Sequence, residues 1–200
     1  MTLGQRFARF ATNAVVRRPA LWRLFRAPMR RQFDRLAPSW DSMRRPDFLA
    51  PLEAALDCLP APPKRVLDIG TGTGAAARLV AACYPEADVI GVDVSERMLD
   101  EARRLSDSTR VTYRAADAQR LPFEAASFDL VTLNNMIPFF DELARVVAPG
   151  RHLVIAFTGG SGTPIYVPPQ RLRSALGARG FAEFAEVSAG RGTALLARKS

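Results

Sequence analysis

The segment that most constrains the fold is VLDIGTGTG, residues 66–74, in which an apolar run passes directly into a turn with three glycines. The apolar half is typical of a strand that is buried on both faces of a parallel sheet. Gly70, Gly72 and Gly74 lack a Cβ, so the backbone can bend with positive φ and come close to a ligand. The segment therefore predicts a buried strand followed by a ligand-binding turn.

The glycine spacing alone does not identify the ligand. Gly70, Gly72 and Ala75 also satisfy the G-x-G-x-x-A fingerprint of nicotinamide- and flavin-binding folds. An NAD(P)- or flavin-binding oxidoreductase therefore remains open on the evidence of the turn.

The remainder of the chain after residue 62 alternates short β-branched runs with alanine-rich stretches, a pattern typical of βα units. It predicts strands at 65–69, 88–92, 111–115, 128–133, 152–157, 181–187 and 193–197, and helices at 74–84, 96–105, 137–147 and 168–178. Only residues 189–192 separate the last two strands, so these two strands should form an antiparallel hairpin. The expected fold class is α/β: a Rossmann-like seven-stranded sheet, mostly parallel, with an antiparallel C-terminal hairpin, helices on both faces and extra N-terminal helices.

Acidic residues lie at or just after the ends of three of the predicted strands. Asp68 lies two residues before Gly70, where a carboxylate disfavours a pyrophosphate and suits an ammonium or sulfonium group. Asp93 ends the second strand, where a carboxylate can accept hydrogen bonds from both ribose hydroxyls. Asp117 follows the third strand. Asp68 thus indicates a cationic ligand, and Asp93 indicates a nucleoside without choosing between cofactors.

Five ordered segments carry a more specific signal: VLDIGTGTG, GVDVS, AADAQRLPF, FDLV and RVVAPGR. In this order and spacing they resemble the class I S-adenosylmethionine-dependent methyltransferases, especially the small-molecule branch. The resemblance covers residues 62–200 and implies S-adenosyl-L-methionine as cofactor. It also implies methyl transfer to a small, apolar acceptor by in-line displacement.

Carried over position by position, the resemblance implies a role for each matching residue. Asp68 and the turn would hold the methionine end, Asp93 the ribose, and Asp117 the adenine amine. Asn134 would form the wall nearest the transferable methyl. The full set of implied cofactor-binding residues is Asp68, Gly70, Thr71, Gly72, Gly74, Asp93, Val94, Met98, Asp117, Ala118 and Asn134.

The segment between Asn134 and Pro149 is shorter than is usual in the resembled family, and it lacks the histidine that often occurs there. This leaves the acceptor and the catalytic base unassigned. The candidates for a base are Asp41, in a segment that resembles the (A)xxYD entry motif of the family, and Tyr166, after the fifth strand. A base is optional, because a sulfonium methyl is already activated and alignment supplies much of the catalysis.

The N-terminal quarter carries the charge of the chain. Residues 1–50 contain eleven arginines and three aspartates, whereas the other 150 residues contain 17 basic and 17 acidic side chains. Helical patterns at 2–17, 20–36 and 46–58 place apolar and arginine residues together. The expected domains are a basic helical arm or lid over residues 1–60 and a methyltransferase domain over residues 61–200. The arm fits either a lid over the cofactor site or peripheral contact with anionic lipid.

Other partners and sites are not indicated. No aromatic stacking motif or second basic patch supports nucleic-acid binding. The single histidine, His152, excludes a histidine-cluster metal site. We expect a cytoplasmic protein in contact with a small-molecule acceptor, with contact between the arm and a membrane surface as the alternative to a lid. A catalytically silent member that binds a membrane or a partner is a further alternative, motivated by the short segment and the basic arm.

Overall fold

A single seven-stranded sheet organises the computed structural model, which describes residues 3–106 and 110–200. Its strands are β1 (Arg65–Ile69), β2 (Asp88–Asp93), β3 (Val111–Ala115), β4 (Phe128–Asn134), β5 (Val147–Phe157), β6 (Phe181–Ala189) and β7 (Gly192–Lys199). The spatial order is β3-β2-β1-β4-β5-β7-β6. The first five strands in this order run parallel, and β7 lies antiparallel to both β5 and β6. The predicted fold class is confirmed.

Helices cover both faces of this sheet. They are α1 (Leu3–Arg17), α2 (Trp22–Leu36), α3 (Ala50–Leu56), α4 (Ala75–Cys83), α5 (Glu96–Arg104), α6 (Phe140–Val146) and α7 (Pro169–Gly177). The helix predicted from residue 2 is observed from Leu3, and Thr2 lies outside the described residues. Short 3-10 turns at Pro19–Leu21, Ala37–Ser39 and Asp41–Met43 join the N-terminal helices.

Two apolar clusters form the core, one on each face of the sheet. The first joins α6 and α7 to β4 and β5, and it includes Ala11, Val15, Trp22 and Met29 from α1 and α2. The second packs α3, α4 and α5 against the opposite face. Strand β1 contributes to both clusters, which explains its nearly continuous apolar sequence. The two N-terminal helices are therefore packed on the sheet domain through buried side chains.

The helix predicted at 137–147 and the fifth predicted strand are corrected by the structure. Helix α6 ends at Val146 instead of 147, and β5 begins at Val147, five residues before the predicted start. Pro149 explains the difference, because proline cannot continue a helix and favours an extended conformation in the residue before it. Gly150 lies within β5 with a φ of 74°.

Candidate active site

A cavity of about 650 Å³ opens at the carboxyl ends of β1, β2, β4 and β5. It is lined by the glycine turn, by the residues that follow β2 and β4, and by side chains from α2 and the segment after it. Ligands of open α/β sheets bind at this edge of the sheet, and pockets of about 300–1,000 Å³ are typical of small-molecule sites. The short segment after β4 therefore still leaves room for a ligand.

The glycine turn has the left-handed conformation that its sequence predicts. Gly70, Gly72 and Gly74 have φ of 70°, 55° and 80°. Gly74 is required for packing, because a Cβ there would lie 2.4 Å from the Tyr113 hydroxyl oxygen. A Cβ on Gly72, by contrast, would point toward the cavity side of the turn, where Trp40 and Arg44 lie 3.6 Å and 3.7 Å away. Gly72 is thus the least crowded glycine of the turn, and it lines the cavity together with Gly70.

Asp68 lies buried at the end of β1, directly before this turn. Its Oδ1 accepts a hydrogen bond from Thr132 Oγ1 at 2.8 Å, while Oδ2 is buried and accepts none from the described residues. Burial raises the pKa of the Asp68 carboxyl to about 6, although the nearby Thr71 and Thr132 hydroxyls act to lower it. A buried acceptor without a partner is costly, so Oδ2 marks a position where a cationic or hydrogen-bonding group is favoured.

Asp93 lines the cavity where β2 ends. Its Oδ2 accepts from the Gly72 amide at 3.0 Å and its Oδ1 accepts from the Ser95 amide at 2.9 Å. Burial raises the pKa of this carboxyl, and the two amide hydrogen bonds act against that increase. These bonds fix the carboxylate beside the turn and leave lone pairs on both oxygens for further donors.

Asp117 is held by the N-terminal helices. Trp22 Nε1 donates to its Oδ1 at 2.8 Å, the Gln119 amide donates to the same oxygen at 3.0 Å, and Arg26 Nη1 donates to Oδ2 at 2.9 Å. A carboxylate offers about four lone-pair positions. One lone-pair position on Oδ2 therefore remains for a hydrogen-bond donor of a ligand. The cavity itself is lined by the flanking Ala116 and Ala118 and not by Asp117.

The residues after α2 form a roof over the turn. Asp41 Oδ1 accepts from Thr73 Oγ1 at 2.5 Å and pairs with Arg44 Nη1 at 2.8 Å. The Arg44 guanidinium lies over the rings of Phe48 and Trp40, at 4.7 Å and 5.8 Å from their centroids. Burial lowers the pKa of Arg44, and the Asp41 charge opposes this change.

The segment after β4 forms the opposite wall. Asn134 Oδ1 is buried and accepts no hydrogen bond from the described residues. Asn135 adopts a φ of 54° and exchanges two hydrogen bonds with Thr158, one through its Nδ2 at 2.9 Å and one through its Oδ1 at 3.0 Å. The Met136 side chain packs on Gly70, with its Sδ 2.7 Å from the position of a Gly70 Cβ. Two of these residues are thus fixed by Thr158 and Gly70, and Asn134 has a free acceptor.

Most of the predicted cofactor-binding residues are brought together here. Those that line the cavity are Gly70, Thr71, Gly72, Asp93, Val94, Met98, Ala118 and Asn134. Asp68, Gly74 and Asp117 do not line the cavity: Asp68 is buried in β1 directly before the turn, Gly74 packs on Tyr113, and Asp117 is bonded to Trp22 and Arg26. The two candidate bases do not line the cavity: Asp41 is engaged by Thr73 and Arg44, and Tyr166 stacks edge-on against Phe157 at 5.2 Å.

Sequence reasoning overlooked Trp40 and Arg44, although it singled out the segment 37–41, which contains Trp40 and ends three residues before Arg44. The available signal was an aromatic residue and an arginine on either side of Asp41 in an entry-like motif. It also overlooked Met136, whose position depends on the left-handed turn at Asn135.

The polar and apolar groups around the cavity fit a nucleoside that carries an aminoacyl group. Asp93 presents carboxylate oxygens to the cavity, Val94 and Met98 present apolar surface, and Asp68 Oδ2 is a buried acceptor without a partner among the described residues. These are groups that ribose hydroxyls, a base and an ammonium group would each require. In the described parts of the chain, no group of three or more histidine, cysteine or acidic side chains is arranged to hold a metal ion. No helix within residues 3–106 and 110–200 has the length and apolar character needed to cross a membrane.

Comparison with known families and proteins identifies similar sequences. Residues 66–150 match a family model described as a methyltransferase domain. The chain is 38% identical over 137 residues to demethylmenaquinone methyltransferase of Thermus thermophilus, covering 62% of each protein. It is 33% identical over 150 residues to malonyl-[acyl-carrier protein] O-methyltransferase of a Methylovorus species, covering 67% of this chain and 51% of that protein. The matches thus span less than two thirds of the length of these relatives.

Solved structures share the fold. A SAM-dependent methyltransferase from Aquifex aeolicus superposes with a TM-score of 0.62 at 19% identity, covering 80% of this chain and 97% of that one. Phosphoethanolamine N-methyltransferase 2 of Haemonchus contortus, solved in complex with S-adenosyl-L-methionine, gives a TM-score of 0.57 at 26% identity, covering 70% and 38%.

Proposed function

Because the chain belongs to the class I S-adenosylmethionine-dependent methyltransferases, we propose that it binds S-adenosyl-L-methionine in the described cavity and methylates a small apolar acceptor. The observation that carries the proposal is Asp68, a buried carboxylate with an unpartnered oxygen directly below the glycine turn. A pyrophosphate at this turn would meet an uncompensated negative charge, whereas an aminoacyl ammonium would be stabilised. The antiparallel β7 also distinguishes this sheet from the parallel order of dinucleotide-binding folds.

The cofactor would be held from three sides. Asp93 accepts from the ribose hydroxyls, while its bonds to Gly72 and Ser95 keep it in place. Val94 and Met98 pack against the adenine, and Asp117 accepts from the adenine amine through its remaining lone pair. Asp68 and the turn would hold the aminoacyl end, and Asn134 would line the cavity beside it.

The chain contributes alignment and exclusion of water. The bound cofactor supplies a methyl group on a sulfonium sulfur, which leaves as a neutral thioether when the acceptor attacks in line. Asn134 and Met136 form one wall of the reaction space, and Met29 and Phe33 of α2 contribute to the other. Holding two reactants in a dry, oriented pocket can supply most of the rate enhancement without a base.

The cavity lining favours an apolar acceptor. Among its side chains are Met29, Phe33, Met43, Phe48 and Met136. Methionine and aromatic side chains pack well on flat or irregular apolar molecules. Of the acceptors named for the relatives, a demethylmenaquinone fits this lining better than a malonyl group.

We propose further that residues 1–60 act as a basic arm that covers the site of residues 61–200 and contacts anionic lipid. Leu3, Phe10 and Leu24 are 84%, 64% and 61% exposed. Around them lie exposed arginines that make no ion pair with the described residues, namely Arg6, Arg17, Arg18, Arg23, Arg30 and Arg31. Exposed apolar side chains among unpaired cations are typical of a membrane-surface helix.

Flotation with vesicles that contain an anionic phospholipid tests this contact. We expect the intact chain to float, and a variant with Arg23, Arg30 and Arg31 replaced by glutamine to stay in solution. Equal partitioning of both proteins would refute the lipid contact.

Transfer of a labelled methyl group from S-adenosyl-L-methionine tests the activity itself. The acceptors are a short-chain demethylmenaquinone in reduced form and a malonyl thioester, assayed separately. We expect label in the first and little in the second. Label in neither acceptor, with cofactor binding intact, would contradict the proposed acceptor class.

A further inference from the structure

Helix α2 has a second face, opposite the face that lines the candidate active site. The cavity lining includes Trp22, Met29 and Phe33, which lie at helical positions i, i+7 and i+11. The opposite face carries a stripe at positions i, i+4, i+7 and i+11, formed by Leu24, Pro28, Arg31 and Arg35. This stripe therefore belongs to a surface that the cavity does not include.

A groove runs between this stripe and α5, on the outside of the molecule. Its volume is about 660 Å³, and its lining residues are Pro28, Arg31, Asp34, Arg35 and Arg97. None of these five residues lines the candidate active site. Three guanidinium groups thus meet at one groove, two from the arm and one from the methyltransferase domain.

The guanidinium groups of the groove have no carboxylate partner among the described residues. Arg31 and Arg97 form no ion pair there, and Arg35 uses only its Nε, which donates to the Arg31 carbonyl oxygen at 3.2 Å. Asp34 is turned away from them, because its Oδ1 accepts from Ser95 Oγ at 2.5 Å. Three positive charges therefore face one negative charge, and an anion in the groove would be stabilised.

The geometry of arginine favours phosphate as this anion. A guanidinium group presents a planar fork of N–H donors, which matches the oxygens of a phosphate and binds them through charge-assisted hydrogen bonds. Both Nη atoms of Arg35 are free for such bonds. Arg97 lies in the first turn of α5, where the positive end of the helix dipole adds to the attraction.

Exposed apolar side chains beside the groove indicate where the phosphate comes from. Leu24 is 61% exposed and lies one helical turn before Pro28 on the same stripe. Phe10 is 64% exposed and lies beside α2, because its ring meets that of Phe25 edge-on at 6.0 Å. A soluble phosphate gains nothing from these side chains, whereas a phospholipid places acyl chains next to its phosphate.

We propose that the groove between α2 and α5 binds the phosphate of an anionic phospholipid through Arg31, Arg35 and Arg97, with Leu24 in contact with the acyl chains. The inference rests on the proposed lipid contact of residues 1–60 and extends it to the methyltransferase domain, because Arg97 belongs to α5. The bound lipid bridges the two parts of the chain. It lies about one helix diameter, ~10–12 Å, from the cavity, which brings an apolar acceptor in the bilayer close to the site.

Flotation with two kinds of vesicle tests the proposal. One kind contains phosphatidylcholine alone, and the other contains phosphatidylcholine mixed with phosphatidylglycerol. We expect Arg35→Gln and Arg97→Gln each to lower the partition coefficient on the mixed vesicles about 20-fold, because each removes charge-assisted hydrogen bonds to the phosphate. Arg97→Lys should lose less than Arg97→Gln, since it keeps the charge without the fork.

Two control variants separate a phosphate site from general surface charge. Arg23→Gln removes an exposed arginine of α2 that does not line the groove, and it should lower the partition coefficient only about fivefold. Lys64→Gln removes an exposed cation at the amino end of β1, on the opposite edge of the sheet, and should change it less than about twofold. Equal losses for Arg23→Gln, Arg35→Gln and Arg97→Gln would overturn the groove site.

Calorimetric titration with glycerol 3-phosphate distinguishes a lipid from a soluble phosphate. We expect little heat at millimolar ligand, whereas Leu24→Ser should weaken flotation. Tight binding of glycerol 3-phosphate that Arg97→Gln abolishes, with flotation indifferent to Leu24→Ser, would overturn the lipid assignment.

Two further measurements keep this test separate from the proposed function. Failure of the unmodified protein to float would refute the lipid contact of the arm and the groove site with it. Methyl transfer to a short-chain acceptor in solution should be unchanged in Arg97→Gln, so the methyltransferase proposal stands or falls independently of flotation. Thermal unfolding of each variant confirms that it is folded.

Discussion

Trp22 Nε1 donates a hydrogen bond to Asp117 Oδ1 at 2.8 Å, which joins the N-terminal helices to the loop after β3 across 95 residues of sequence. Trp22 is buried, and its ring also meets Phe139 edge-on at 5.5 Å. The same carboxylate is the predicted acceptor for adenine. The docking of the N-terminal helices and the proposed adenine site therefore depend on one side chain.

Replacing Trp22 by phenylalanine should destabilise the protein by about 1–2 kcal/mol, because a hydrogen bond to a charged acceptor is lost while most of the ring packing remains. Urea unfolding measures this change. The control is Asp117→Asn, alone and combined with Trp22→Phe. We expect the two effects to be non-additive by more than about 0.5 kcal/mol, and additivity would show that the two residues do not interact.

Asp68 should make the stability of the ligand-free protein fall as pH rises. Its pKa is about 6 in the folded protein against 3.8 for the ordinary group. The protonated Asp68 carboxyl therefore stabilises the folded protein fully below about pH 3.8, and this contribution is lost by about pH 6. The free energy of unfolding should fall by about 3 kcal/mol over this range. Unfolding of Asp68→Asn, compared with the unmodified protein across this range, isolates the effect.

We expect Asp68→Asn to be the more stable protein at pH 7.5 and the weaker binder of S-adenosylhomocysteine. A constant difference in unfolding free energy between pH 4 and pH 7 would contradict the assignment of the raised pKa.

Gly70 and Met136 should be coupled. A Cβ on Gly70 would lie within 3.1 Å of three Met136 side-chain atoms, and the φ of 70° adds a backbone cost of about 1–2 kcal/mol for alanine. Gly70→Ala should therefore be strongly destabilising, and Met136→Ala in the same chain should restore about 1 kcal/mol by removing the clash. Thermal unfolding of both single variants and the double variant measures this. A double variant as unstable as the sum of the two single changes would argue against the contact.

Glu142 should stabilise the loop after β3. Its Oε2 accepts from the Leu121 amide at 2.7 Å and from Arg145 Nη2 at 2.8 Å. Burial acts to raise the pKa of Glu142, but these hydrogen bonds outweigh it and the pKa is lowered below 4.5. The ionised Glu142 carboxylate therefore stabilises the folded protein above about pH 4.5. This contribution is lost as the pH falls through the lower pKa that the carboxyl has in the folded protein.

Glu142→Gln should therefore lower stability by about 2 kcal/mol at pH 7 and by less in acid. Acid unfolding followed by circular dichroism compares the two proteins. A loss that is the same at pH 7 and pH 3 would contradict the ionic part of this account.

The sequence predicted the sheet well where the signal is local. Strands β1 and β3 were predicted to the residue, since each is a short run bounded by a charged or proline-rich segment and a turn. The early part of β5 was not, because Ala148, Pro149 and Gly150 resemble a helix end until Val147 is seen to pair with Phe128. The position of Arg44 above Gly72 could not be predicted either, because only tertiary packing brings these two residues together.

Titration of the protein with S-adenosylhomocysteine tests the central claim most directly. We expect one site with measurable heat, and for Asp93→Ala a dissociation constant raised about 100-fold, which corresponds to about 2.7 kcal/mol. The variant should remain folded by circular dichroism, because its change lies at the cavity surface. Absence of binding at millimolar ligand, or an unchanged affinity for Asp93→Ala, would contradict the account.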